Sequence, residues 1–152
     1  MSLTRPWPFA FDNGPVPKRV ENRGWKPRDY VGHYVALHAA KSWDEDGREF
    51  IADKTGLYVP SDAESPRSQI FAVCRYVGHV TSATDRRLKN GQDAWFFGPV
   101  GWLLGDYVRL VEPVPCVGAR GLWTFDERPQ AFARLREVYA RSVEGTRSKE
   151  AA

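Results

Sequence analysis

Gln69-Ile-Phe-Ala-Val-Cys-Arg-Tyr-Val77 is the most apolar run of the chain. Its length and its β-branched and aromatic content predict a central strand, buried on most of both faces. Gly78 follows at once and marks a bulge where a barrel bends. To the N-terminal side, Val31-Gly-His-Tyr-Val-Ala-Leu-His38 alternates apolar and small residues between polar turns, which predicts a second strand. To the C-terminal side, Gly101-Trp-Leu-Leu-Gly-Asp-Tyr-Val-Arg-Leu-Val111 and the segment from Val117 to Phe125 carry further strand signals. Glu112-Pro-Val-Pro115 lies between them and is expected to interrupt the ladder, because proline has no N–H to donate.

Around these strands the sequence places helices and loops. Ser42-Trp-Asp-Glu45 has the form of a capping box, in which the serine hydroxyl and the glutamate satisfy each other's end of the chain. A helix from Trp43 to Thr55, stopped by Gly56 and weakened by Gly47, follows from it. Val59 to Ser68 carries Pro60, Pro66 and several Ser and Asp residues, the composition of an exposed, mobile flap. Thr81 to Asp93 is polar, with Arg86, Arg87 and Lys89 close together, and reads as a loop or short helix. Pro129 opens a C-terminal helix whose Phe132, Leu135, Val138 and Tyr139 share one face, with a tail that frays after Glu144. The fold class is α+β, one domain over 1–145 with a frayed tail over 146–152, built as a closed or nearly closed small β-barrel with peripheral helices.

A chain of 152 residues can bury a continuous core as a single domain without disulfides or metals. Hydrophobic residues at 42% and charged residues at 27% exclude wholesale disorder and a coiled coil. No apolar run approaches the roughly 20 residues of a membrane-spanning helix. Met1-Ser2-Leu3-Thr4-Arg5-Pro6 lacks the apolar core of a signal peptide, so a cytoplasmic location and no membrane partner are expected. Cys74 and Cys116 sit in apolar contexts outside any Cys-x-x-Cys pair and read as buried thiols of a reducing compartment. The net charge is only +3, but its distribution is uneven. Between Met1 and Lys41, Arg5, Lys18, Arg19, Arg23, Lys26, Arg28 and Lys41 outweigh Asp12, Glu21 and Asp29. Between Ser42 and Ser68 the acids dominate. Such asymmetry can create a one-sided field that attracts phosphate, or a simply solvated face.

The stretch richest in chemistry is Gly14-Pro-Val-Pro-Lys-Arg-Val-Glu-Asn-Arg-Gly-Trp25. In an extended chain Glu21, Arg23 and Trp25 project to one face, and a turn or bulge in the proline-rich approach brings Lys18 to them. The set suits a nucleotide: arginine forks onto phosphate or a base edge, lysine offers a point charge, glutamate accepts from an exocyclic amine and tryptophan stacks. A salt-bridged strand on a solvated face is the structural alternative.

Arg5-Pro-Trp7, Lys18-Arg-Val-Glu-Asn-Arg23, Leu37-His-Ala-Ala-Lys41, Gly98-Pro-Val-Gly-Trp-Leu103, Pro113-Val-Pro115 and Gly118-Ala-Arg-Gly-Leu-Trp123, in that order, closely resemble the ASCH domain family. The resemblance runs from Arg5 to Phe125. The family signature is glycine, any residue, lysine, two of any, glutamate, any, arginine. Lys18, Glu21 and Arg23 match it, Val16 stands in place of the glycine, and Gly14 is the candidate for the turn. The resemblance implies a PUA-like β-barrel whose cleft is floored by this motif, with RNA, another single-stranded nucleic acid or a modified nucleoside as partner. Some relatives are amidohydrolases or ribonucleases. Where the hydrolases carry a threonine nucleophile this chain has Glu21, so that mechanism does not carry over directly. Lys18 or Glu21, if desolvated, could still act as a general base, and Tyr30 or Tyr34 could complete a ribonuclease set.

His33, His38 and His79 show no metal-ligand spacing, and neither a metal nor another cofactor is implied. His38 falls in the block that ends at Lys41, where the strand end lies beside the cleft; the alternative is a histidine satisfied in the core. Gly98 and Gly101 fit no phosphate-binding fingerprint and read as a tight turn. Trp102 and Trp123 read as core, Trp7 and Trp25 as stacking residues. The expected site is therefore Trp7, Lys18, Glu21, Arg23, Trp25, His38 and Lys41, with Lys18, Glu21 and Tyr34 as candidates for any catalysis. A protein-interaction adaptor using the acidic helix after Ser42 is a third possibility.

Overall fold

The computed structural model describes residues 1–27 and 29–152; Arg28, one of the cations counted above, lies outside the described residues. Five strands form one curled, half-barrel sheet in the order β1-β3-β4-β5-β2, where β1 is Ser2–Arg5, β2 Val20–Arg23, β3 Tyr34–Trp43, β4 Gln69–Val80 and β5 Val100–Pro115. β1 pairs with β3 in parallel and every other pair is antiparallel. The apolar run at 69–77 is the central strand, extended to Val80, and its buried residues occupy both faces. Its register against β5 slips three times, once at Gly78 (φ +146°), and bulges of this kind give the sheet its curl.

Two expectations fail along β5. Pro113 and Pro115 do not stop the strand: Val114 and Pro115 pair with Ile70 and Gln69. Cys116 N–H donates to Ser68 O at 3.0 Å, so alternation turns the N–H of Val114 towards β4 and positions 113 and 115 away from it. β2 covers only Val100 to Leu103, so both prolines fall where no strand requires a donor. On this side of β5, Val111 N–H is taken instead by Ser142 Oγ at 3.0 Å. The segment from Val117 to Phe125 is irregular, because Gly121 (φ +66°) leaves extended conformation and only its carbonyl, bonded by Ser2 N–H at 3.4 Å, meets the edge of β1. β3 likewise begins at Tyr34, not Val31, after Gly32 at φ +87°.

The helices are α1 (Trp7–Ala10), α2 (Glu45–Thr55) and α3 (Pro129–Ala151), with a 3-10 turn at Gln92–Trp95. Asp44, not Ser42, caps α2 by accepting from Gly47 N–H at 2.9 Å; Ser42 and Trp43 belong to β3. Gly56 ends the helix at φ +69°. The flap expected at 59–68 is tied down: the buried Arg5 guanidinium bonds Asp62 O, Ser65 O and the Asp62 carboxylate, and Val59 is buried. α3 packs Leu135, Val138 and Ser142 on the outside of the sheet, while Phe132 is half-exposed and stacks on Phe125. It continues past Glu144 to Ala151 on exposed helix formers such as Arg147 and Lys149.

Three apolar clusters result. Leu3, Phe11, Leu37, Phe71, Tyr76 and Trp102 fill the concave side of the sheet. Ile70, Val73, Leu110 and Val114 meet α3 on the convex side. Val20, Ile51, Val80, Trp95 and Leu103 join α2 and the 3-10 turn to the end of the sheet. Cys74 and Cys116 are free and buried, and burial pushes the Cys74 thiol up to about 12.

Candidate functional site

β2 is short and is held in place by side chains as much as by its ladder. Gln92 donates to Pro17 O and accepts from Arg19 N–H, both at 2.8 Å, and so substitutes for a strand partner just before β2. Asn22 donates to Trp95 O at 3.0 Å and accepts from Phe97 N–H at 2.7 Å, fastening the loop before β5. Gly14, at φ +89°, makes the turn that the sequence assigned to it, and Val16 O accepts from Trp95 Nε1–H at 2.8 Å. None of the two amides carries an obvious sequence signal beyond the position of Asn22 inside the motif block.

With that register, Glu21 and Arg23 lie opposite Trp102 and Val100, on the concave face of the sheet. Lys18 joins them. Its ammonium donates to Glu21 Oε2 at 2.7 Å and to Val20 O, and lies 5.0 Å from the Phe11 ring and 5.6 Å from the Trp7 ring. Arg23 Nε stands 3.7 Å from the other Glu21 oxygen. Lys18 is only 2% exposed, and burial holds it below the usual lysine range against the opposing pull of Glu21. A buried ion pair of this kind keeps its charges only because each has a partner.

Arg23 also reaches outward. Its Nη2 donates to Ser2 O at 2.7 Å, spanning the gap between β2 and β1, the two edge strands of the sheet. Its Nε is buried without a hydrogen bond. Beyond it opens a cleft of about 480 Å³, bounded by β1, the outer side of β3 and the 117–121 segment. Arg23, Lys41 and Arg120 line it together with the hydroxyl residues Ser2, Thr4, Ser42 and Ser68, and no carboxylate is among its described lining residues.

The structure thus brings Lys18, Glu21 and Arg23 into one chain of charges and places Arg23, His38 and Lys41 around one cleft. His38 is buried and fully bonded. Its Nε2–H donates to Cys116 O at 2.7 Å, which leaves Nδ1 to accept from Ser2 Oγ–H at 3.2 Å; Ser2 Oγ in turn accepts from Trp123 Nε1–H at 3.0 Å. Burial lowers the His38 pKa, in keeping with the neutral ring this chain of donors demands. Gly118 permits the arrangement, since a Cβ there would stand 2.4 Å from the His38 ring.

The tryptophans divide differently from expectation. Trp102 is core. Trp7 is partly buried and donates to Asp44 Oδ2 at 2.9 Å, so it serves as a prop for Lys18 and α2. Trp25 is 47% exposed, packs edge-on against Trp102 at 5.0 Å, and accepts from Trp102 Nε1–H through its carbonyl. Tyr34 is not brought to Lys18: its ring neighbours are Arg75 and Tyr139. Gly98 makes a turn at φ +73°, whereas Gly101 lies in β5, where a Cβ would stand 2.8 Å from Phe96 and 2.9 Å from Val20. No helix among the described residues is long and apolar enough to cross a membrane. A scan against protein-family models and a search of curated proteins returned no match for this chain.

Proposed function

We propose that this protein is a nucleic-acid-binding module of the ASCH type, with a PUA-like fold, which holds single-stranded RNA or one of its nucleotides in the cleft beside Arg23. The observation that carries this reading is the composition of the cleft: three cations, four hydroxyl residues and no described carboxylate around about 480 Å³. A volume of that size suits a nucleotide, and cations with hydroxyls are the usual partners of phosphate. Lys41 and Arg120 are exposed and make no ion pair among the described residues, so both are available to a polyanion. The ordered blocks from Arg5 to Trp123 that resemble the ASCH family support the same reading.

In this reading the motif divides its labour. Lys18 and Glu21 brace Arg23 from inside the sheet, and Arg23, Lys41 and Arg120 meet the ligand. Hydrolysis in the same cleft has less support, because the Lys18 ammonium is occupied by Glu21 and Val20 and Tyr34 lies elsewhere.

The test is fluorescence anisotropy of a labelled single-stranded RNA at two salt concentrations, with the wild type, Lys41→Ala and Arg120→Ala. Each substitution should weaken binding and lower the slope of log affinity against log salt by about 1. Wild-type binding that neither substitution changes would move the site elsewhere, and no binding at all would overturn the reading.

A further inference from the structure

A second concavity adjoins the basic cleft. It encloses about 600 Å³ between β3, the 122–126 segment and the start of α3. Aromatic rings dominate its walls: Tyr30, Tyr34, Trp123, Phe125 and Phe132. Tyr30 is 43% exposed, Tyr34 64% and Phe132 43%. Single exposed rings need no explanation, but several gathered around one hollow of ligand size mark a site for something flat and apolar-faced. A cation stands at its rim, Arg136, 5.9 Å from the Phe132 ring.

The two hollows share a wall, and that wall is the hydrogen-bonded chain Trp123, Ser2, His38. Ala36 lines the aromatic side and His38 the basic side. They stand two residues apart on the same face of β3, a step of about 6.6 Å. The loop leaving β5 runs along both, with Val117 to Gly121 on the basic side and Leu122 to Asp126 on the aromatic side. Arg128 lies over the Trp123 ring at 4.6 Å, and Asp126, whose carboxylate accepts from Thr124 Oγ1–H, lines the aromatic side. Every polar atom of the Ser2, His38 and Trp123 side chains is hydrogen-bonded, either within this wall or, for His38 Nε2–H, to Cys116 O.

We infer that the aromatic hollow stacks the base of the nucleotide next to the one whose phosphate sits in the basic cleft, so that the protein reads at least a two-nucleotide stretch of a single strand. This rests on the nucleic-acid reading above. Stacking tolerates any base, because every base has a π-face, while the cations hold the backbone. A duplex is excluded by the same geometry: a base can enter a hollow walled by Trp123 and Phe132 only when it is unpaired.

The experiment measures the affinity of a fluorescein-labelled random-sequence RNA pentamer for the wild type, Tyr34→Ala, Phe132→Ala, Tyr34→Phe and Lys41→Ala, after circular dichroism and melting have shown each variant folded. Tyr34→Ala and Phe132→Ala should each weaken binding about tenfold with the salt slope unchanged. Tyr34→Phe should bind as the wild type does, and Lys41→Ala should weaken binding and flatten the slope. If both alanine variants at the aromatic hollow bind like the wild type while Lys41→Ala is impaired, the stacking inference falls and the cleft reading stands. If the wild type fails to bind the pentamer, both fall together.

Discussion

Arg23 Nη2 donates to the carbonyl oxygen of Ser2 at 2.7 Å, so one side chain joins the first and last strands of the sheet order. In a parallel pair, the N–H and C=O of a residue point the same way, and those of Ser2 face the open edge because its neighbours Met1 and Leu3 serve β3. Gly121 O takes the N–H and Arg23 takes the carbonyl. Removing the guanidinium should therefore open the seam. Arg23→Ala is expected to cost about 1.5–3 kcal/mol in denaturant unfolding, the range for a hydrogen bond to a charged group. Hydrogen exchange should speed up at Ser2 to Arg5 and leave β4 protected.

Lys18→Ala should be strongly destabilising. It leaves Glu21 nearly buried with only the 3.7 Å contact to Arg23. The expected loss is about 3–5 kcal/mol. Lys18→Met combined with Glu21→Gln, which removes both charges, should recover a large part of it. Equal losses in the single and double variants would show that the pair contributes nothing beyond its volume.

Gly47→Ala runs against helix propensity. Alanine in a helix interior should stabilise by about 1 kcal/mol. Here a Cβ would stand 2.5 Å from Asp44 Oδ2 and 2.9 Å from Trp7 Nε1, inside the contact by which Asp44 holds both the helix cap and Trp7. The substitution should lower stability by about 1–3 kcal/mol in thermal or denaturant unfolding.

His38 sets a sign for the pH dependence of stability. Its folded pKa is lowered from 6.5, so the unfolded chain binds the proton more readily. The stability it contributes is complete above pH 6.5 and is lost as pH falls from there towards the folded value. The buried Met1 amine, which donates to Ala36 O and is pushed down from 8.0 to about 5, adds a trend of the same sign between those values. Melting temperature should fall between pH 7.5 and 5.5, and His38→Gln should flatten the part below pH 6.5.

Cys74 should resist a thiol reagent such as Ellman's reagent under native conditions, because burial both shields it and pushes its thiol up to about 12. Reaction on the timescale of global unfolding is expected, and fast labelling of the folded protein would contradict the packing of the concave core.

What could be read from the sequence followed the physics of local patterns. The run at 69–77 announces a central strand because it is short and rich in β-branched and aromatic residues, which suits a strand buried on both faces better than a helix. The grouping of Lys18, Glu21 and Arg23 was legible from spacing and the turn at Gly14. Pro113 and Pro115 misled because a proline is forbidden only where its missing N–H would face a partner, and which side of a strand is unpartnered is a property of the finished sheet. Ser42 and Asp44 compete for one cap, and the length of β3 decides between them. Tyr34 lies in a neighbouring hollow, away from the motif, because its strand position points it towards α3; one-dimensional spacing does not carry that information.

The pairing of β2 with β5 has a consequence for the order in which the molecule is made. Val20 to Arg23 finds its partner only in Val100 to Leu103, some 80 residues later, whereas β3 and β4 are neighbours along the chain. During synthesis from the N-terminus the Lys18, Glu21 and Arg23 side chains therefore stay in water, each with its own hydration, until the start of β5 has emerged. During synthesis their burial against β5, and the bridge from Arg23 to Ser2 beside it, has to wait for that strand. The cleft beside Arg23 is therefore not assembled in a nascent chain until almost the entire sheet is in place.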